Sequence, residues 1–372
     1  MGSTNCCLGQ AADRSSPTGS RLGRSLAVKE AHAGVSVAMQ YLGHLPEHDP
    51  LHHYLRAEIL PQVGYWGGRA EFRVFALDGS HPVYLYEERR SLVRVVGKFF
   101  GQPNQPGWDG ATPRMVKEFN ALCLLRDHGL VGYPHHVVRP LGISGGLNSV
   151  LVEEYTYGRS LSSVIEAAIY HGQRDALFRK LTALAYFLAT AHNRTANELR
   201  VDFSKDCSYL DRLVQQLQDR HAIGGADANE FYWLRDRWRE QPRMWEDQQV
   251  IVHGDATPTN FLFGDELAVT AIDLERMKRA DRVFDLGRVA GELQHSFLHA
   301  TGDKYAAEPF IGHFLWEYSC HFPDRYAAFR SITGRLPFQM ALTLLRIARN
   351  SWVSSWYRWR LIDEAKITLR TF

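Results

Sequence analysis

Residues 251–263 read IVHGDATPTNFLF, and residues 269–275 read VTAIDLE. The first stretch has the pattern of a short apolar strand, a tight polar loop and a second apolar strand, and the next strand ends at Asp273. The loop carries Asp255 and Asn260, which are five residues apart. The pattern therefore predicts that three oxygen-bearing side chains converge at the ends of neighbouring strands.

Phosphoryl transfer requires such a set of side chains. One carboxylate must orient the attacking hydroxyl group and accept its proton, while a carboxylate and a carboxamide hold the magnesium ions that bridge the nucleotide phosphates. Protein kinases use H-R-D-x-x-x-x-N followed by D-F-G, and this chain has H-G-D-x-x-x-x-N followed by I-D-L-E. The structural alternative is a strand–turn–strand in which Asp255 and Asn260 only cap the turn.

The order and spacing of these residues resemble the aminoglycoside phosphotransferase (APH) family. This is a group of small-molecule kinases related to choline, homoserine and methylthioribose kinases. The resemblance extends in motif order from about Gln62 to Leu286. It implies an α+β, bilobal protein-kinase-like fold with a small antiparallel-sheet N-lobe and a larger, mostly helical C-lobe. It also implies ATP, with GTP as a possible replacement, magnesium, and a hydroxyl group of a small molecule as the acceptor.

The resemblance assigns a role to each motif residue. Asp255 would accept the proton of the acceptor hydroxyl, and Asn260 would assist it in catalysis. Asn260 and Asp273 would bind magnesium. His253 and Glu275 would hold these side chains in position without contacting the substrate.

A lysine and a glutamate are expected to hold the nucleotide phosphates. Lys98 follows the apolar run from Val93 to Val96, where the kinase-like fold places the lysine that contacts the α and β phosphates. The segment from Pro113 to Asp127 has helical spacing, and Glu118 in its first half would pair with Lys98. The structural alternatives are a solvated lysine at a strand end and a glutamate that favours a helix N-terminus.

Two further segments are candidates for nucleotide contacts. A hairpin containing Gly67 and Gly68 would let backbone amides approach phosphates, although its spacing does not match the kinase glycine loop and ordinary hairpins also use Gly-Gly. The buried-type strand from Val150 to Tyr155, which contains Glu153, is followed by Gly158-x-Ser160-Leu161. This segment resembles the linker between lobes, whose backbone binds adenine. A strand that leads into a helix would look similar.

After Glu275 the chain resembles another family element, and here Asp285 would support the catalytic loop by hydrogen bonds. The tryptophans Trp352, Trp356 and Trp359 lie at helical spacing. This spacing favours a core stripe over a wall of the substrate pocket.

The domain organisation follows from these patterns. Residues 1–24 are predicted to be a disordered tail, 25–61 an N-terminal helical extension, 62–157 the nucleotide-binding N-lobe, and 158–372 the catalytic and substrate-binding C-lobe.

Composition limits the function classes. With a formal net charge of +2 and 23% charged residues, the 372-residue chain gives no general reason to expect nucleic-acid binding. The five cysteines show no zinc-ligand spacing, and their odd number argues against a closed disulfide framework, so we expect a cytoplasmic protein.

No apolar run reaches transmembrane length, and no stable membrane association is expected. Gly2 with Cys6 and Cys7 invites a lipidation hypothesis, but Cys6 occupies the position where the acceptor pattern has Ser or Thr.

Two other functions compete with a small-molecule kinase. A protein kinase is disfavoured because D-L-E replaces D-F-G and the stretch from Glu275 to Asp285 is too short for an activation segment. A catalytically inactive nucleotide-binding regulatory module is disfavoured because every expected catalytic side chain is present. No P-loop motif occurs in the sequence.

The charge of the last helical region bears on the acceptor. Basic residues outnumber acidic ones after Gly287, and four arginines flank the tryptophans. This balance favours a neutral or anionic acceptor over a polycation. The identity of the acceptor and the oligomeric state stay open.

Overall fold

An antiparallel sheet followed by a larger helical part makes up the computed structural model, which describes residues 39–77, 82–101 and 110–372. The strands are β1 (Gln40–His44), β2 (Phe72–Leu77), β3 (Val83–Glu88), β4 (Arg94–Phe99), β5 (Val131–Gly132), β6 (His135–Val137), β7 (Pro140–Ser144), β8 (Val150–Glu154), β9 (Arg159–Ser160), β10 (Val250–Val252), β11 (Phe261–Phe263), β12 (Val269–Ala271) and β13 (Lys278–Ala280). The helices are α1 (Pro50–Tyr54), α2 (Ala111–Asp127), α3 (Leu161–Tyr170), α4 (Arg174–Thr195), α5 (Ser204–Asp219), α6 (Gly225–Arg239), α7 (Val283–Thr301), α8 (Glu308–Ser319), α9 (Arg325–Ala348) and α10 (Ser355–Leu369). The predicted tail and the lipidation candidates lie outside the described residues.

The main sheet has six antiparallel strands in the order β1-β2-β3-β4-β8-β7. Because successive side chains of a strand point to opposite faces, each central strand contributes to two layers. In β8, Val150 and Val152 pack with α1, whereas Leu151 belongs to the core that includes α2. The same alternation places the polar residues Lys98 of β4 and Glu153 of β8 on the face that α2 covers.

Helix α2 has the apolar spacing that the sequence predicts. Met115, Leu122 and Leu125 are buried in the core that joins the sheet to the helical part. Glu118 is also fully buried, because it lies on the same face of the helix. The helix therefore carries a carboxylate into the interior, opposite the polar residues of the sheet.

The helical part is built on α4, α7 and α9. Leu177, Leu181, Leu184 and Leu188 of α4 are almost completely buried, as their spacing predicts. A second core joins α5, α6, α9 and α10. The short strands β10 and β13 pair with each other, and β11 and β12 form a hairpin. The α+β architecture with a small antiparallel sheet and a larger helical part is confirmed.

Two expectations differ from the structure. Residues 40–44, placed in a helical extension, form strand β1 instead, because pairing with β2 satisfies their backbone groups. Trp352, Trp356 and Trp359 are not a core stripe, since their exposed fractions are 69%, 71% and 62%. Leu361 and Ile362 of α10 fill the core in their place. Within the described residues, none of the helices combines the length and apolarity needed to cross a membrane.

The contact between α7 and α9 leaves no room for a side chain at Gly287. A Cβ atom there would lie 2.3 Å from Cβ of Gln339. We predict that Gly287→Ala lowers the free energy of unfolding, since overpacking costs about 1–3 kcal/mol. The matched control is Gly312→Ala in α8, where a Cβ meets nothing within 4 Å and helix propensity gains about 1 kcal/mol. Denaturant unfolding of both variants checks this, and a loss of stability at both positions, or at neither, contradicts the packing.

Candidate active site

The turn after β10 has a backbone that only glycine accommodates. Gly254 has φ +82°, and a Cβ atom at this position would lie 2.0 Å from the carbonyl oxygen of Arg276. The chain can therefore pass close to the segment after β12 only with glycine between His253 and Asp255. This explains the middle residue of the H-G-D motif in physical terms.

Asp285 fixes the same turn from below. Its Oδ2 accepts the backbone N–H of His253 at 2.6 Å, and its Oδ1 accepts the N–H of Gly254 at 3.0 Å. Nε2 of His192 lies 3.2 Å from Oδ2, and Nδ1 of His192 lies 2.9 Å from the hydroxyl of Tyr318. Burial alone would raise the pKa of Asp285, but hydrogen bonds from His192 and the His253 backbone hold it below its ordinary value. Asp285 thus makes the hydrogen bonds expected of it, and His192 links it to Tyr318.

Asp255 and Asn260 are linked through the loop. Nδ2 of Asn260 donates to the backbone carbonyl of Asp255 at 2.9 Å, which leaves the amide oxygen as the ligand atom for a cation. The carboxylate of Asp255 is in contact with two arginines. Its Oδ1 accepts from Nη2 of Arg346 at 2.8 Å, and its Oδ2 lies 3.6 Å from Nε of Arg276.

Lys98 joins the sheet, α2 and the strand end after β12. Its Nζ lies 2.8 Å and 3.0 Å from the two carboxylate oxygens of Glu118, and 2.5 Å from Oδ1 of Asp273. Asp273 has φ +63°, a conformation that non-glycine residues adopt rarely and that often marks a functional site. The expected contact between Lys98 and Glu118 is present, while its role in nucleotide binding stays a prediction.

The cluster holds more carboxylates than cations. Oxygens of Glu118, Asp273 and Glu275 lie within 4.8 Å of one another, and the buried Glu153 has an Oε1 without a hydrogen-bond partner. Burial and the neighbouring carboxylates raise the pKa of Glu118 to about 7 and that of Glu153 to about 8. Burial would lower the pKa of Lys98, but the carboxylates raise it above its ordinary value. The donor set therefore fits a hard, oxygen-seeking cation such as magnesium.

Gly67 and Gly68 were misplaced as phosphate contacts. They precede Phe72, which pairs with Glu88, whereas Lys98 pairs with Val83 at the other end of the strands. The Phe72–Glu88 end and the Val83–Lys98 end of these strands are five residues apart, which corresponds to about 17 Å. The connection at the Lys98 end includes residues 78–81, which lie outside the described part of the chain. Gly67 and Gly68 also follow a helical turn rather than a strand, so they do not form a β-hairpin.

Glu153 is not part of an open linker either. Its backbone pairs with Val96 on one side and with Pro140 on the other, so it lies within the sheet. Its contribution is the carboxylate beside Lys98. Tyr155 lies beyond the end of β8, and its ring faces the guanidinium of Arg94 at 5.4 Å. The backbone segment proposed to bind the nucleotide base therefore begins after Glu154.

Three charged residues near Asp255 were not assigned from the sequence. Arg346 of α9 also contacts Glu292 of α7, with Nη1 3.3 Å from Oε1. Arg288 precedes Glu292 by one helical turn and is 4% exposed. No short motif marks these positions, because helices that are distant in sequence bring them to the site.

The chain is similar in sequence to a known family and in fold to several solved structures. The model of the phosphotransferase enzyme family (APH) matches residues 71–318. No curated protein matches the chain by sequence. Among solved structures, an ethanolamine kinase of Plasmodium vivax is similar at 12% identity and a TM-score of 0.53, covering 81% of this chain and 80% of that chain. A choline kinase of Cryptosporidium parvum Iowa II has 10% identity and a TM-score of 0.54, covering 86% and 92%. A GDP complex of aminoglycoside 2′-phosphotransferase-IIIa has 15% identity and a TM-score of 0.50, covering 85% and 98%. At these identities, the likeness concerns the fold.

We predict that Asp285→Asn lowers the free energy of unfolding by about 1.5–3 kcal/mol, because hydrogen bonds to a buried charge are lost. The folded-state pKa of Asp285 is depressed, so its contribution is present above the unfolded pKa near 3.8 and is lost as the pH falls through the folded value. The difference between wild type and variant should therefore shrink in acid. Denaturant titrations at pH 7 and pH 3 measure it, with the exposed Asp265→Asn as control. Equal stability of both variants at pH 7 would contradict the anchoring role.

Proposed function

Because this chain belongs to the phosphotransferase enzyme family, we propose that it transfers the γ-phosphoryl group of ATP, with magnesium, to a hydroxyl group of a small molecule. The observation that carries the proposal is that two sets of polar side chains lie next to each other. The H-G-D loop with Asn260 holds a candidate base, and the Lys98–Glu118 pair meets Asp273 beside it. Both groups are needed for phosphoryl transfer.

Lys98 is suited to bind nucleotide phosphates. Glu118 fixes its ammonium group, and Asp273 shares it, so the lysine can exchange Asp273 for a phosphate oxygen when nucleotide is bound. Asp273 and Asn260 would hold magnesium, with Glu118 and Glu275 nearby. The bound cation would neutralise charge on the phosphates during transfer.

Asp255 is the proposed base. The acceptor hydroxyl gives its proton to the Asp255 carboxylate, and its oxygen forms a bond to the γ-phosphorus. The bond between the γ-phosphorus and the bridging oxygen breaks, and ADP leaves. Asn260 holds the carbonyl of Asp255, and Asp285 holds the backbone of the two preceding residues. The base is therefore positioned before the substrate arrives.

ATP is proposed as the donor, with GTP as the alternative. Base recognition through backbone groups after Glu154 would discriminate only weakly between adenine and guanine. Both nucleotides therefore belong in the assay. A cytoplasmic location is also proposed. Cys123, Cys207 and Cys320 are free thiols in the structure, which agrees with a reducing compartment.

The experiment is an acceptor panel with purified protein, ATP or GTP, and magnesium, in which transfer of labelled γ-phosphate is measured. The panel contains choline, ethanolamine, an aminoglycoside, neutral polyols and sugar acids. We predict acceptor-dependent transfer, and we predict that Asp255→Asn lowers kcat with the best acceptor by about a hundredfold or more. Asp265→Asn, which changes an exposed carboxylate, should match the wild type.

The contradicting outcomes differ in what they reject. Nearly full transfer by Asp255→Asn would show that Asp255 is not the base. Nucleotide binding without transfer to any acceptor would instead favour an inactive nucleotide-binding module.

A further inference from the structure

Arg346 is in direct contact with the candidate base. Its guanidinium bridges two carboxylates, with Nη2 2.8 Å from Oδ1 of Asp255 and Nη1 3.3 Å from Oε1 of Glu292. The side chain is largely withdrawn from solvent, with 17% of it exposed. A cation therefore lies in direct contact with the group that would receive the proton of the acceptor.

Arg288 supplies a second buried cation in the same place. It lies on α7 one turn before Glu292, and its Nε and Nη1 are buried without a hydrogen-bond partner among the described residues. Such donors are costly to leave unsatisfied, and a guanidinium cannot lose its charge to avoid the cost. Orphaned donors of this kind indicate a missing acceptor of hydrogen bonds.

Two further cations lie near Arg288 and Asp255. Its guanidinium lies 5.9 Å from the ring centre of Phe284, and Nζ of Lys278 lies 3.6 Å from that same ring centre. Nε of Arg276 lies 3.6 Å from Oδ2 of Asp255 and 3.4 Å from Oε1 of Glu275. Asp206 and Asp285 act on Lys278, and Arg346 engages both Asp255 and Glu292, so none of these carboxylates gives a hydrogen bond acceptor to Nε or Nη1 of Arg288.

The electrostatics agree with this geometry. Burial and the neighbouring charge of Arg288 lower the pKa of Arg346, against the opposing effect of Asp255 and Glu292. Burial raises the pKa of Glu292. The site therefore holds two guanidinium groups close together with two carboxylates, and Nε and Nη1 of Arg288 stay without a hydrogen-bond acceptor among the described residues.

We propose that Arg288 and Arg346 form a recognition site for an anionic group, a carboxylate or a phosphate, on the acceptor molecule. The proposal rests on the proposed function and deepens it, since it assigns the charge class of the acceptor. The anion satisfies the free donors of Arg288 and draws Arg346 toward it. Arg346 then releases an oxygen of Asp255 for the acceptor hydroxyl. A cationic acceptor meets two guanidinium groups beside the base and is disfavoured by like-charge repulsion.

Three compounds that share a six-carbon polyol chain test the proposal: gluconate, neutral glucitol and cationic glucamine. Their binding is measured by calorimetry without nucleotide, so the result does not depend on phosphoryl transfer. We expect gluconate to bind about 10- to 100-fold more tightly than glucitol, the range given by hydrogen bonds to a charged group, and glucamine to bind most weakly. We expect Arg288→Gln to remove the preference for gluconate and to leave glucitol affinity unchanged.

The control variant is Arg330→Gln, an exposed arginine on the same helix as Arg346, which should bind like the wild type. Thermal unfolding tests whether Arg288→Gln is folded. If it is not, Arg288→Lys keeps the charge but fewer donors, and it should give an intermediate preference.

Equal binding of the three compounds, a preference for glucamine or glucitol, no measurable binding of gluconate, or an unchanged preference in the Arg288 variants would overturn the proposal. A preference for gluconate without any phosphoryl transfer would leave the anion site standing and reject the proposed function. Transfer to glucamine or choline with no anion preference would reject the anion site and leave the proposed function standing.

Discussion

The contact between the Lys98 ammonium and the carboxylates of Glu118 and Asp273 is the interaction on which the site depends. It joins a sheet strand, a helix and the end of β12, which come from distant parts of the chain. Buried ion pairs gain little net stability, because desolvation offsets the attraction. With Glu275 also close by, the cluster brings three carboxylates to one lysine. Its arrangement is explained better by a ligand that brings a cation than by stability alone.

The candidate site is divided by charge. Carboxylates gather around Lys98, whereas the Asp255 carboxylate contacts the guanidinium groups of Arg346 and Arg276. Asp285 holds the loop between the two sides through backbone N–H groups, so the position of the base does not depend on either ligand. Under the proposed function, one short loop would face a metal-bound nucleotide near Lys98 and an acceptor near Arg346.

The sequence predicted what is local or strongly patterned. The strand–loop–strand with Asp255 and the helix that carries Glu118 were found because their spacing is regular. Gly67 was misplaced because Gly-Gly does not reveal at which end of a strand it lies, which only the register of the sheet decides. Arg288 and Arg346 carry no motif, and their meeting depends on how α7 and α9 pack. The exposed tryptophans show that helical spacing identifies a face of a helix without showing which face is buried.

The most direct test of the central claim is the magnesium dependence of nucleotide binding. Calorimetric titration of the wild-type protein with ATP, in magnesium and in EDTA, measures it without any knowledge of the acceptor. The carboxylate cluster around Lys98 predicts one site that binds ATP at least about tenfold more tightly with magnesium, since the cation offsets repulsion between carboxylates and phosphates. Equal affinity in both conditions, or no binding of ATP or GTP in either, would contradict the assignment of this cluster as a magnesium–nucleotide site.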